Sequence, residues 1–146
     1  MKRQGTFVLI AMILAMLVNA APAPQAVKAL SPGVVISQVY GGGGNSGATY
    51  THDLIELFNR GTTPISLDGW SVQYASATGT GNFGSAANML TELPNVVLLP
   101  GQYLLIQEAK GSGGTTPLPT PDVIDPTPIA MSATGGKVVL VSTTTS

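Results

Sequence analysis

Apolar residues in this chain come in short runs, separated by stretches rich in glycine, proline, serine and threonine, and this pattern predicts strands. The first run, residues 34–40, reads Val-Val-Ile-Ser-Gln-Val-Tyr, and Gly41 to Gly44 end it abruptly. Residues 53–59, Asp-Leu-Ile-Glu-Leu-Phe-Asn, are apolar on both faces, which places that strand centrally in a sheet. A short strand at 64–67 opens with Pro64, a residue tolerated at edges and strand starts. Asp68-Gly69 then signals a tight turn. Residues 70–75 alternate most cleanly: Trp70, Val72 and Tyr74 are expected to face a core, and Ser71, Gln73 and Ala75 to face water.

Residues 96–99 and 102–107 flank Pro100-Gly101, whose proline presets φ and whose glycine accepts φ > 0 in a type II turn. The two runs are expected to form a hairpin. The final run, 137–141, has the character of a buried strand. Long loops are expected at 41–51 and 76–92. Residues 109–128 hold five prolines and three glycines, and no regular ladder is expected there. The total is about seven short strands and no helix after the N-terminal region. The fold class is all-β, and the spacing fits an immunoglobulin-like sandwich.

Composition sharpens this picture. Charged residues are 9% of the 146-residue chain, against about a quarter in an ordinary globular domain. Gly at 18 and Pro at 11 are plentiful, which suits a turn-rich sandwich and disfavours helical bundles with charged outer faces. The formal charge is −1 with no basic cluster, so direct nucleic-acid binding is not expected. With no cysteine there is no disulfide, thiolate metal site or thiol-linked lipid anchor, and the domain must rest on its core alone.

The first residues are an address rather than structure. Lys2 and Arg3 precede an apolar stretch, Phe7 to Val18, and small residues follow it, the pattern of a secretory signal peptide. The stretch is shorter than the ~20 residues of a membrane span. Cleavage is expected after Ala20, or as late as Ala26, with residues 21–32 an Ala/Pro-rich linker to a domain at 33–146. The expected location is extracellular, without a lipoprotein anchor.

Three stretches are more specific than composition: Val35 to Tyr40, then Asp53 to Asn59, then Pro64 to Val72 with its Leu67-Asp68-Gly69-Trp70. Together with Leu99-Pro100-Gly101-Gln102-Tyr103, they make residues 33–142 resemble the lamin-tail domain, an immunoglobulin-like sandwich of nuclear lamins and of many exported bacterial proteins. The resemblance rests on Glu56, Asn59, Asp68, Gly69, Trp70, Pro100 and Gly101. Gln38 departs from it, standing where many members carry glutamate. It implies a non-catalytic binding or spacer module, often placed before a secreted nuclease or phosphoesterase domain. It also implies one or two strands beyond 138–141, so the chain reads as the front part of a longer protein. The expected partners are then a downstream catalytic domain or an extracellular polymer. A stand-alone surface or matrix protein is the other reading.

No residue pattern points to catalysis. His52-Asp53 is the single His–acid pair and lacks a nucleophile or metal partners. Glu56 sits mid-strand, where a carboxylate needs a partner such as Arg60 or backbone amides. Gly41 to Gly44 lacks the Gly-Lys-Ser/Thr of a phosphate loop. Asp122 and Asp125 are too few for a calcium site. Trp70, in phase with Val72 and Tyr74, is read as a core residue rather than a sugar platform. No cofactor or metal is expected.

Overall fold

The computed structural model describes residues 33–146; the expected signal peptide and linker lie outside the described residues. Nine strands follow in order: β1 (Val34–Tyr40), β2 (His52–Asn59), β3 (Ile65–Ser66), β4 (Ser71–Ser76), β5 (Leu90–Glu92), β6 (Val97–Leu98), β7 (Tyr103–Lys110), β8 (Val123–Ile124) and β9 (Gly136–Val141). One sheet runs β1-β2-β7-β8, a second runs β5-β4-β9, and β3-β6 form a separate ribbon. A single 3-10 turn at Ala87–Met89 is the helical element among the described residues. The result is the all-β, sandwich-like architecture of an immunoglobulin-like fold.

The strongest apolar run takes the central place. β2 is flanked by β1 on one side and β7 on the other, and the β2–β7 register sets Ile55 against Ile106 and Leu57 against Leu104. These four side chains are buried, and they meet Val72 and Tyr74 of β4 in one core. Leu98 of β6 joins it, as do Leu67, Leu93, Ile129 and Met131 from the connections. Burying each large aliphatic side chain contributes about 1.5–3 kcal/mol before entropy is counted.

The structure corrects the sequence reading in four places. The first is the expected hairpin at Pro100-Gly101. The turn itself forms, with Gln102 N–H donating to the Leu99 carbonyl at 3.1 Å and Gly101 at φ +78°. Yet β6 pairs with β3 and β7 pairs with β2. A type II turn splays the strands it joins, so it serves here as a corner between layers rather than as the end of a ladder.

The second concerns β4. Ser71, Gln73 and Ala75, expected on a wet face, are 0%, 3% and 7% exposed. The end of the chain lies over them: Ser71 Oγ donates to the Thr143 carbonyl at 2.6 Å, and Gln73 Nε2 donates to the Thr145 carbonyl at 3.1 Å. These polar side chains do point away from the core, as period two requires, but they are capped by backbone rather than water.

The third and fourth are strands in segments read as loops. Leu90–Glu92 pairs with β4, and Val123–Ile124 adds a two-residue parallel rung beside Ile106 and Gln107. Neither run is long enough to show a period. The second is held by Asp122, whose N–H donates to the Leu105 carbonyl and whose carboxylate accepts the Leu105 N–H at 2.8 Å. Among the described residues, no helix is long and apolar enough to cross a membrane.

Candidate functional site

The most unusual chemistry in the fold is a pair of buried acids, Asp53 on β2 and Glu108 on β7, 3% and 1% exposed. Alternation along each strand sends both inward. Asp53 shares the face of Ile55 and Leu57, and Glu108 that of Leu104 and Ile106. A bulge lies between them, because His52 pairs with Lys110 while Leu54 pairs with Gln107. The extra β7 residue interrupts the ladder at the two acids.

Both carboxylates are spent on one extended segment, residues 129–131. Glu108 Oε2 accepts the Ile129 N–H at 2.7 Å, and Oε1 accepts the Thr91 hydroxyl at 2.8 Å. Asp53 Oδ2 accepts the Met131 N–H at 2.7 Å, and Oδ1 accepts the Gly43 N–H at 2.5 Å. The segment's carbonyls are met in turn: Ala109 N–H donates to Ile129 and Gly42 N–H to Met131. The segment thus gains strand-like bonding from two side chains, and Ile129 and Met131 drop into the core. Gly43 must be glycine here, since a Cβ would lie 2.0 Å from the His52 carbonyl carbon.

Burial sets the electrostatics. Glu108 is pushed up to about 7, chiefly by desolvation and further by the charges of Asp125 and Asp53, against the Ile129 N–H and Thr91 hydroxyl. Asp53 is raised by desolvation, against the amides of Met131, Gly43 and Gly42. His52 is lowered by desolvation and then by Lys110.

His52 and Asp53 do not form a dyad. They are neighbours on a strand and point to opposite faces, and the His52 ring contacts Thr51 Oγ1 at 2.9 Å. Neither acid opens into the surface cleft beside β5 and β8. That cleft, about 600 Å³, is lined by Leu90, Glu92, Val123, Ile124 and Asp125 among others. A second cleft of about 310 Å³ lies between β1 and β9, against Ile36, Val39, Tyr74, Met131 and Val138, and is apolar. Among the described residues, no group of three or more His, Asp or Glu stands ready for a metal ion. The arrangement can hold a proton and a backbone segment.

The family model for the lamin-tail domain matches residues 28–145. The chain belongs to the lamin-tail domain family. No curated protein matches it. The lamin-tail domain is an immunoglobulin-like, non-enzymatic fold.

The residues that carried the resemblance are dispersed through this lamin-tail domain at its joints rather than gathered in a pocket. Asn59 is fully buried and ties β2 to β6 and to the turn that follows β2: Nδ2 donates to the carbonyls of Leu98 at 2.8 Å and Thr63 at 2.9 Å, and Oδ1 accepts the Gly61 N–H at 3.0 Å. Its backbone joins the Pro100-Gly101 corner, accepting the Gly101 N–H and donating to the Gln102 carbonyl. Asp68 and Gly69 form the turn in which Trp70 N–H donates to the Leu67 carbonyl, with Gly69 at φ +72°. Trp70 is half-buried against the core. The Glu56 carboxylate lies on the outward face of β2 and accepts the Ser37 hydroxyl at 2.6 Å, so its partner is Ser37 rather than Arg60.

Asn59→Ala is expected to cost about 1.5 kcal/mol, because the buried Leu98 carbonyl loses its donor. Urea unfolding checks this, and a midpoint unchanged from wild type would refute it.

Proposed function

We propose that this lamin-tail domain is an exported, non-catalytic binding or spacer module and the N-terminal part of a larger secreted protein such as a nuclease or phosphoesterase. The observation that carries the reading is the commitment of its chemistry. The two buried acids use all four oxygens on Thr91, Gly43, Ile129 and Met131. The signal-peptide pattern of residues 1–20 supports export.

Mass spectrometry of native secreted protein carrying this N-terminal sequence tests it. A polypeptide far above 14.8 kDa, lacking the first 20 to 26 residues, is the expected result. A mature product no larger than this chain would refute the larger-protein reading.

A second reading, a stand-alone surface protein that self-associates, draws on β1. It ends its sheet and carries neither a charge nor a proline, the usual devices that discourage edge pairing. Sedimentation of the purified protein decides it: a strict monomer at all concentrations would exclude this reading.

A further inference from the structure

We infer that the outward face of the β1-β2-β7 layer is a binding platform for a single chain of neutral polysaccharide, an assignment that rests on reading the domain as a binding module. Strand pairing arranges this face in three rows. Val35, Phe58 and Tyr103 form the first, Gln38, Glu56 and Leu105 the second, and Tyr40, Leu54 and Gln107 the third, in which Leu54 is buried and only its flanking Tyr40 and Gln107 are partly exposed.

Aromatic rings mark its two ends. Phe58 and Tyr103 stack with centroids 4.5 Å apart and planes at 29°, and Tyr103 is 58% exposed. At the other end, Tyr40 and Tyr50 meet edge-on with centroids 5.4 Å apart. Between them lies a hydrogen-bonding strip: Ser37 donating to Glu56, with the amide of exposed Gln38 beside it and that of half-buried Gln107 one row further along.

This alternation matches the chemistry of a sugar polymer. A pyranose ring has C–H faces that pack on aromatic rings and a rim of hydroxyls that both donate and accept. Amides answer both hydroxyl roles, and a carboxylate accepts two hydroxyl protons. Charge argues the same way. The three rows contain one carboxylate, already hydrogen-bonded, and no cation, and the next row, His52 and Lys110, adds a single lysine, so an anionic polymer finds little counter-charge.

Size separates a polymer from a folded partner. Rows two residues apart lie roughly 6.6 Å apart, and strands roughly 4.8 Å, so the track spans on the order of 13 Å by 10 Å of backbone. A stable protein interface needs about 800 Å² from each partner. The track suits one linear chain laid along the strands.

Co-sedimentation of the purified product of the full 146-residue chain with insoluble cellulose, chitin and starch tests the assignment. The wild-type protein is expected to pellet with at least one of the three. Tyr103→Ala should weaken that binding about ten-fold, the equivalent of one aromatic contact, and Glu56→Gln by less. Asn82→Ala, on the far sheet's exposed loop, should bind as wild type does. Tyr103→Leu keeps the site tested if the alanine variant fails to fold, because it retains apolar cover and removes the ring. Binding undiminished in the Tyr103 variants overturns the site. A wild-type protein that ignores all three polymers overturns the ligand class, and the native mass still decides the module reading separately.

Discussion

Replacing Asp53 with asparagine is expected to destabilise the domain by about 3 kcal/mol, although the two side chains are nearly the same shape. Both Asp53 oxygens face N–H donors, Gly43 at 2.5 Å and Met131 at 2.7 Å. Asparagine offers one oxygen. Its amide nitrogen must then confront the other N–H at hydrogen-bond distance, donor against donor, and one buried backbone group goes unmet. The relief of neutralising a desolvated acid offsets part of this, but it supplies no acceptor. Urea unfolding near neutral pH measures the loss. A variant as stable as wild type would show that the two amides do not need two acceptors.

Glu108→Gln should do the opposite. Only one of its oxygens faces an N–H, that of Ile129; the other meets the Thr91 hydroxyl, which can accept as readily as donate. Glutamine can keep its oxygen on Ile129 and turn its amide toward Thr91. The same geometry accommodates the protonated acid, with Oε1 donating to Thr91. In the folded protein Glu108 holds its proton up to about 7, and in the unfolded chain only to about 4.5. Between those values the folded state binds more protons, so rising pH favours unfolding.

The contribution of Glu108 to stability is therefore whole below about 4.5 and declines as pH climbs to about 7, by on the order of 3 kcal/mol in all. Asp53, also raised, acts in the same direction from its own lower starting value. Glu108→Gln removes the decline and should leave the variant roughly 2 kcal/mol more stable than wild type near pH 8, with little difference near pH 4. Melts across that range check it. A wild-type profile whose shape the substitution leaves unchanged would mean Glu108 ionises freely in the fold.

Pattern along the strands made much of this legible before the structure. The runs at 34–40, 53–59, 70–75 and 137–141 could be read from apolar pattern alone, the run at 70–75 by its alternation and the others as near-continuous apolar stretches. Asp53 is in phase with Ile55 and Leu57, and Glu108 with Leu104 and Ile106, but a strand apolar on both faces does not show which face is inward, and Glu108 lay just past the run read as a strand. The sequence reading instead followed Glu56, which alternation sends outward to Ser37.

Pairing was harder to read. Nothing local tells Pro100-Gly101 to turn a corner instead of closing a hairpin, since the partners of β6 and β7 lie in β3 and β2, far upstream. Residues 129–131 were illegible for a related reason. They carry no strand pattern, and their order comes from two acids far away in the chain.

That last contact closes a loop of 78 residues between Asp53 and Met131. Disulfides commonly fasten such loops in small secreted domains; this domain, having no cysteine, fastens it with carboxylates. The fastening is therefore indifferent to redox surroundings. It can be made in a reducing compartment or an oxidising one, needs no thiol oxidant or isomerase, and a reducing agent should leave the melting temperature untouched. Acidity and alkalinity, not oxidation, are the conditions that govern whether it holds.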